Sequence, residues 1–204
     1  MQPTHTLLLK AVVGDPDDSG VLRGLAELRQ ALGVRFAEFA VYRGVRTADL
    51  YAYGELDGVA QFSAQDVHRF QAIAGGIPVL AGAAPTFARL ERAFDLPGAS
   101  ARAVPGFHYA VETTAADGWE AELFQWYDTE HMPGLAAAPG CVRAQRFLNS
   151  DGGPYSHACY DLTDARTLES QPWLAVRHTA WSDRVRPHFR NALRTLFRVL
   201  PATL

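Results

Sequence analysis

Lysine is almost missing from this chain. Of nineteen basic residues only Lys10 is a lysine and the rest are arginines, so covalent catalysis through a lysine Schiff base has a single candidate and is a poor expectation. Cysteine is nearly as scarce. Cys141 and Cys159 are too few for a disulfide framework and show no CxxC or metal-finger spacing. Each lies in an apolar, strand-like run, where a buried free thiol is expected. No run approaches the roughly 18 apolar residues that span a bilayer, and the opening MQPTHTLLLKAVVGD has no basic n-region. The expectation is a cytoplasmic protein without a membrane partner. Charge of one sign is missing too. The net charge is -3, the arginines are scattered, and no basic run is interleaved with aromatics, so a nucleic-acid partner has no footing. Neither GxGxxG nor GxxxxGK[ST] occurs, which argues against nucleotide binding by those routes.

What is present is ordinary globular material, 48% hydrophobic and 20% charged over 204 residues, enough for one large core or two small ones. The order of elements repeats. A β-type run at 6–13 is followed by VLRGLAELRQAL, where Leu22, Leu25, Leu28 and Leu32 recur at helical spacing and Gly33 ends the helix. VRFAEFAVYRG and DLYAYGEL read as strands, SAQDVHRFQAIAGG as a helix capped by Ser63, and TFARLERAFDL as a closing strand. The second half runs in the same order. GFHYAVETT is a strand, and WEAELFQWYDTEHM is a helix that Pro133 and Gly134 should stop. CVRAQRFLNS and YSHACYDLT are strands, ARTLESQPWLAVRHTAWSDRV is helical with an interruption at Pro172, and NALRTLFRVL is the last strand. This is βαββαβ written twice, a ferredoxin-like unit at 1–98 and another at 104–204, joined by the Pro-, Gly- and Ala-rich DLPGASARAVPG.

A four-stranded sheet with both helices on one face leaves its other face bare. Strands apolar on both faces need cover on both sides. Two copies in one chain meet that need by packing sheet to sheet, so the predicted fold is α+β, an intramolecular α+β barrel with helices outside.

Chemistry concentrates in WYDTEHMPG. On a helix Phe124, Tyr127 and His131 fall at i, i+3 and i+7 and share a stripe. Tyr127 and His131 are the candidate catalytic pair, His131 as general acid or base with an ordinary pKa of about 6.5. The matching stripe of the first half is leucine and alanine. A shared fold therefore does not require the polar pair. Strand alternation adds a second set: His108 and Glu112 share one face, His157 lies on another strand's polar face, and Arg143 and Gln145 on a third. With Trp126, these are the candidate substrate-binding residues, lining a semi-polar cavity. No HxH, HxxxH or ExxH spacing occurs, so no metal is expected. Trp173 and Trp181, eight residues apart, read as an exposed aromatic surface that would support a homodimer.

Residues 104–204 resemble the dimeric α+β barrel superfamily and most of all its EthD-like branch, on the helix ending WYDTEHMPGL, the strand PGCVRAQRF and the segment PWLAVRHTAW. The first half matches in element order alone. The resemblance implies a small-molecule enzyme of lyase, isomerase, cyclase or cofactor-independent monooxygenase type, with His131 as the family's helix histidine beside the aromatic positions Trp126 and Tyr127. It leaves open a ligand-binding barrel without catalysis, and haem as the one prosthetic group to consider.

Overall fold

In a computed structural model, which describes residues 5–14, 16–57, 62–149 and 151–201, helices and antiparallel strands alternate in the predicted order. The strands are β1 (His5–Val12), β2 (Phe36–Gly44), β3 (Asp49–Leu56), β4 (Thr86–Pro97), β5 (Phe107–Ala115), β6 (Cys141–Asn149), β7 (Ser156–Leu162) and β8 (Phe189–Leu200). They are hydrogen-bonded in the closed order β1-β3-β2-β8-β5-β7-β6-β4, a barrel. The order β4-β1-β3-β2 recurs as β8-β5-β7-β6, so in each set the last strand lies beside the first and the third beside the second. Two compact units divide the chain, Met1–Glu91 with Phe197–Leu204 and Arg92–Leu196. The division falls within β4 and β8, on either side of the predicted linker.

The first unit is built from regular, well-capped elements. Helix α1 (Asp18–Leu32) opens at Asp17, whose carboxylate accepts from the Gly20 amide at 2.7 Å, and closes at Gly33 with φ 66°. Its buried face is Val21, Leu25, Leu28 and Leu32. Helix α2 (Ala64–Gly75) starts with a reciprocal capping box between Ser63 and Asp66. Both helices pack with Leu7, Leu9, Leu50 and Phe87 in one apolar core. The end of β8 pairs with β2, Val41 opposite Leu200 and Gly44 opposite Phe197.

The second unit departs from the expected regularity where the sequence is richest. Helix α3 (Glu120–Trp126) passes into one π-helical turn at Tyr127–His131, and α4 (Met132–Ala136) follows directly. The helix therefore does not stop at Pro133 and Gly134 as the sequence predicts. Proline lacks an amide and its ring crowds the carbonyl four residues back. The widened turn, closed by Met132 N–H to the Tyr127 carbonyl, lets Pro133 sit in the first turn of the next helix. Gly134 is required by close approach, since a Cβ there would lie 2.9 Å from Val176 Cγ1.

Pro172 likewise begins a helix, α5 (Gln171–Arg177), after a 3₁₀ turn at Ala165–Glu169; the break comes later, at His178 and Thr179, before α6 (Ala180–Val185). Trp173 is buried, and Trp181 is half-buried with its indole N–H donating to Glu122 at 2.8 Å. The expected exposed aromatic surface is thus not formed, because Trp173 lies in the second unit's core and Trp181 packs against that core. Cys141 and Cys159 are buried free thiols. Ser150 of the predicted CVRAQRFLNS strand lies outside the described residues. Among the described residues no helix is long and apolar enough to cross a membrane.

Candidate active site

The π-turn decides which side chains meet. In an α-helix residues five apart point in different directions, but a π-turn spends one extra residue and brings i and i+5 together. Trp126 and His131 accordingly stack, ring centroids 4.1 Å apart and planes at 23°. Tyr127 meets His131 edge-on at 5.7 Å. The predicted Phe124–Tyr127–His131 stripe is broken, since Phe124 stacks on Tyr155 at 5.8 Å instead.

Arg146 of β6 fixes the turn from below. Its guanidinium, 2% exposed, forks onto the Asp128 carboxylate at 2.8 and 2.9 Å and lies over the Phe124 and Tyr127 rings at 4.6 and 5.7 Å. Thr129 Oγ1 donates to the Gln125 carbonyl at 2.7 Å, and Thr179 Oγ1 to Glu130 at 2.6 Å, which fastens the turn to the cap of α6.

Between this turn, the sheet and α5 lies a cavity of about 30 Å³, room for a water molecule or one small chemical group. Trp126, Tyr127 and His131 form one wall; Tyr109 and Val111 of β5, Tyr160 of β7 and Phe189 of β8 form the floor; Trp173 closes the far side. Leu135 of α4 and three arginines complete the lining; Arg177 and Arg186 are half-buried and Arg194 is exposed, so the arginines form its rim.

Burial is the first cause of an unusual acid–base state. It pushes the His131 pKa down to about 3, with help from the positive charges of Arg186 and Arg177. The imidazole is therefore neutral near pH 7. Burial likewise raises the Tyr127 hydroxyl above the ordinary tyrosine range, against the pull of Arg146 and Arg194, so it stays a neutral donor. Three buried ring nitrogens, His131 Nδ1, Trp126 Nε1 and Trp173 Nε1, have no hydrogen-bond partner among the described residues. Buried polar groups are ordinarily satisfied, and leaving one unmet costs about 1–3 kcal/mol.

Of the residues singled out in the sequence, Tyr127, His131 and Trp126 are brought together here. The others lie on the opposite face of the same sheet. His108 and Asp161 are cross-strand partners with Nδ1 to Oδ1 at 2.8 Å. Burial opposes the charged form of His108, but the hydrogen bonds to Asp161 and Cys159 outweigh it and raise the pKa to about 9. Glu112 pairs across the strands with His157, their side chains 3.8 Å apart. Arg143 forks onto Asp95 at 2.9 and 2.7 Å, with the Gln145 amide oxygen turned toward the guanidinium at 3.1 Å. None of these five lines the aromatic cavity. The alternation that grouped them also puts Tyr109, Val111 and Arg146 on the helix side, and those residues were legible by the same count. Arg177, Arg186 and Arg194 were not, because their convergence depends on how α5, the 3₁₀ turn at Arg186–His188 and β8 meet. Among the described residues no group of three metal-ligating side chains comes together.

No family model matches the chain, and no curated protein matches it. Solved structures do. A candidate monooxygenase from Fusobacterium nucleatum subsp. nucleatum superposes with TM-score 0.66 at 9% identity, over 98% of this chain and 94% of its own. An anthrone oxidase-like protein gives 0.65 at 14%, over 98% and 94%. A ferredoxin-fold protein from Listeria monocytogenes, related to antibiotic biosynthesis monooxygenases, gives 0.56 at 8%, over 98% and 96%. What these proteins share with the chain, at such identities, is the ferredoxin-like α+β barrel fold.

Proposed function

We propose that the chain is an enzyme that moves a proton on a small carbonyl-bearing or aromatic organic molecule, using its own side chains at the Trp126–Tyr127–His131 cavity. The observation that carries this reading is that Trp126, His131 and Trp173, each with an unpartnered buried ring nitrogen, line one aromatic cavity. Neutral His131 accepts a proton from the carbon beside the substrate carbonyl, and the electron pair left behind moves onto the carbonyl oxygen. The Tyr127 hydroxyl donates a hydrogen bond to that oxygen as its charge grows. Returning the proton from His131 to a different atom completes an isomerisation, and expelling a group from the neighbouring carbon completes a lyase step. Trp126, stacked on the imidazole, excludes water and fixes the ring. The WYDTEHMPGL helix supports placing the chain in the EthD-like branch, and the oxidase-like and monooxygenase-like names among its structural neighbours are compatible with an enzyme on this fold.

Haem does not fit the site. A tetrapyrrole needs a pocket of several hundred Å³, whereas this cavity is about 30 Å³ and the imidazole face is already covered by Trp126. The test is a set of variants assayed on a substrate found by ligand screening, with melting temperatures alongside. His131→Ala should lose about 10²–10⁴-fold in turnover with the fold intact. Tyr127→Phe should lose less, since the ring still packs. Full activity in His131→Ala, together with its loss in His108→Ala or His157→Ala, would move the site to the other face of the sheet. Ligand binding at the cavity with no turnover of any bound molecule would leave a binding protein and refute the enzyme.

A further inference from the structure

Three guanidinium groups converge on the rim of an aromatic cavity that has no carboxylate in its lining. Five other arginines of the second unit meet acids: Arg92 and Arg143 with Asp95, Arg146 with Asp128, Arg166 with Asp164 and Arg184 with Glu122, whereas Arg190 donates to the Pro187 and Phe189 carbonyls. Among the described residues Arg177, Arg186 and Arg194 form no such ion pair. Arg186 donates to the Arg177 main-chain carbonyl at 3.2 Å, and Arg194 lies over the Phe189 ring at 6.0 Å. Like charges held together raise one another's free energy, and an anion placed among them recovers it.

From this, and resting on the reading of the cavity given above, we infer that the molecule taken up is a small organic carboxylate, its charge held by Arg177, Arg186 and Arg194 and its carbonyl end meeting His131 and Tyr127. The cavity admits one small group only, so the reacting end enters while the carboxylate stays at the rim, where the exposed Arg194 can fold over it. A planar carboxylate suits forked guanidinium donors. Binding also changes the chemistry. Arg186 and Arg177 both disfavour a proton on His131, and a bound carboxylate offsets them, making the imidazole a stronger base once the substrate is seated. The other ionisable groups around the ring act weakly on that proton: the Tyr127, Tyr109 and Tyr160 hydroxyls are neutral, Glu130 is engaged with Thr179, and the exposed Asp183 interacts with Arg186.

The full chain is titrated with benzoate, pyruvate, benzamide and inorganic phosphate, following tryptophan fluorescence and the ring resonances of the histidines. Benzoate or pyruvate should saturate and shift one histidine, absent from the spectrum of His131→Ala, and benzamide should bind about tenfold more weakly or worse than benzoate. Arg177→Gln and Arg186→Gln should each weaken the carboxylates about tenfold and leave benzamide unchanged. Arg194→Gln, on the exposed rim, serves if either of those fails to fold. The inference is overturned if benzamide matches benzoate, if phosphate binds more tightly than both carboxylates, if the arginine variants bind as the parent does, or if no probe binds at high millimolar concentration. A shift of the His131 resonances by benzamide alone would leave the cavity as the site and remove only its charge preference. Unchanged binding of every probe by His131→Ala and Trp126→Phe would remove the site itself.

Discussion

Helix α1 and the α3–π-turn–α4 segment hold the same place in their respective βαββαβ units, and they are put together in opposite ways. The first has a side-chain cap at Asp17, a left-handed glycine at Gly33 and an apolar buried face of Val21, Leu25, Leu28 and Leu32. The second has no side-chain cap at Trp119 and contains a proline and a widened turn, and it buries Trp126 and Tyr127 with three uncompensated ring nitrogens around them. Topology therefore needs only the first kind of helix. On the function proposed above, the irregularity of the second, and the free energy it forgoes, serve the His131 cavity.

The widest separation should come from cutting the regular helix. Leu25→Ala removes a fully buried side chain from the first core and should lower unfolding free energy by about 2–5 kcal/mol in denaturant titration. It should leave ligand affinity at the His131 cavity unchanged. Affinity lost as severely as in His131→Ala would mean that the two helices do not divide structure from function as argued here.

Acid should then sharpen the contrast from the other side. His131 has a folded pKa of about 3 against about 6.5 unfolded, so between those values the unfolded chain binds a proton that the folded one refuses. Stability rises with pH across that window and is lost as pH falls, by at most about 1.4 kcal/mol per unit for this group. His108 works in the reverse direction. Its folded pKa of about 9 gives stability that is complete below about 6.5 and lost as pH rises toward 9. Melting temperatures of the parent, His131→Phe and His108→Gln across pH 4–9 would separate the two. An acid limb equally steep in parent and His131→Phe would show that the imidazole is protonated in the fold.

The smallest effect is at the cap. Asp17→Ala should lower global stability slightly, by loss of the helix cap, and cost nothing in binding. A loss of binding instead would place the entry to α1 in contact with the ligand's path.

Most of the fold was readable because hydrophobic spacing and punctuation agree. The leucine period of α1, its Gly33 stop, Ser63 as a cap and the aromatic, β-branched runs of β2 and β3 each have one local cause. The sequence misleads where two local rules compete. Pro133 was expected to end a helix, but a π-turn absorbs its missing amide, a choice that depends on Arg146 arriving under Asp128 from a strand eighteen residues away. The candidate pair Tyr127 and His131 was legible as composition. Their geometry was not, since the stacking of Trp126 on His131 follows from that turn. The rim arginines, nine and eight residues apart, come from α5, the 3₁₀ turn and β8, and no helix or strand period groups them.

The first unit cannot be finished in the order in which it is made. Its sheet takes β2 as a member, yet the partner that covers the far edge of β2 is Phe197–Leu200, about 150 residues further along the chain. During synthesis β1, β2, β3 and both helices are available long before that edge strand leaves the ribosome. For all that time Val41–Gly44 offers unmet amides and carbonyls to any other strand in reach. A truncation before Phe197 should therefore leave a nascent-like species prone to edge-to-edge association, even though it takes only Leu200 from the first core. A synthetic peptide spanning 189–200, supplied in trans, should suppress that association if the exposed edge is its cause.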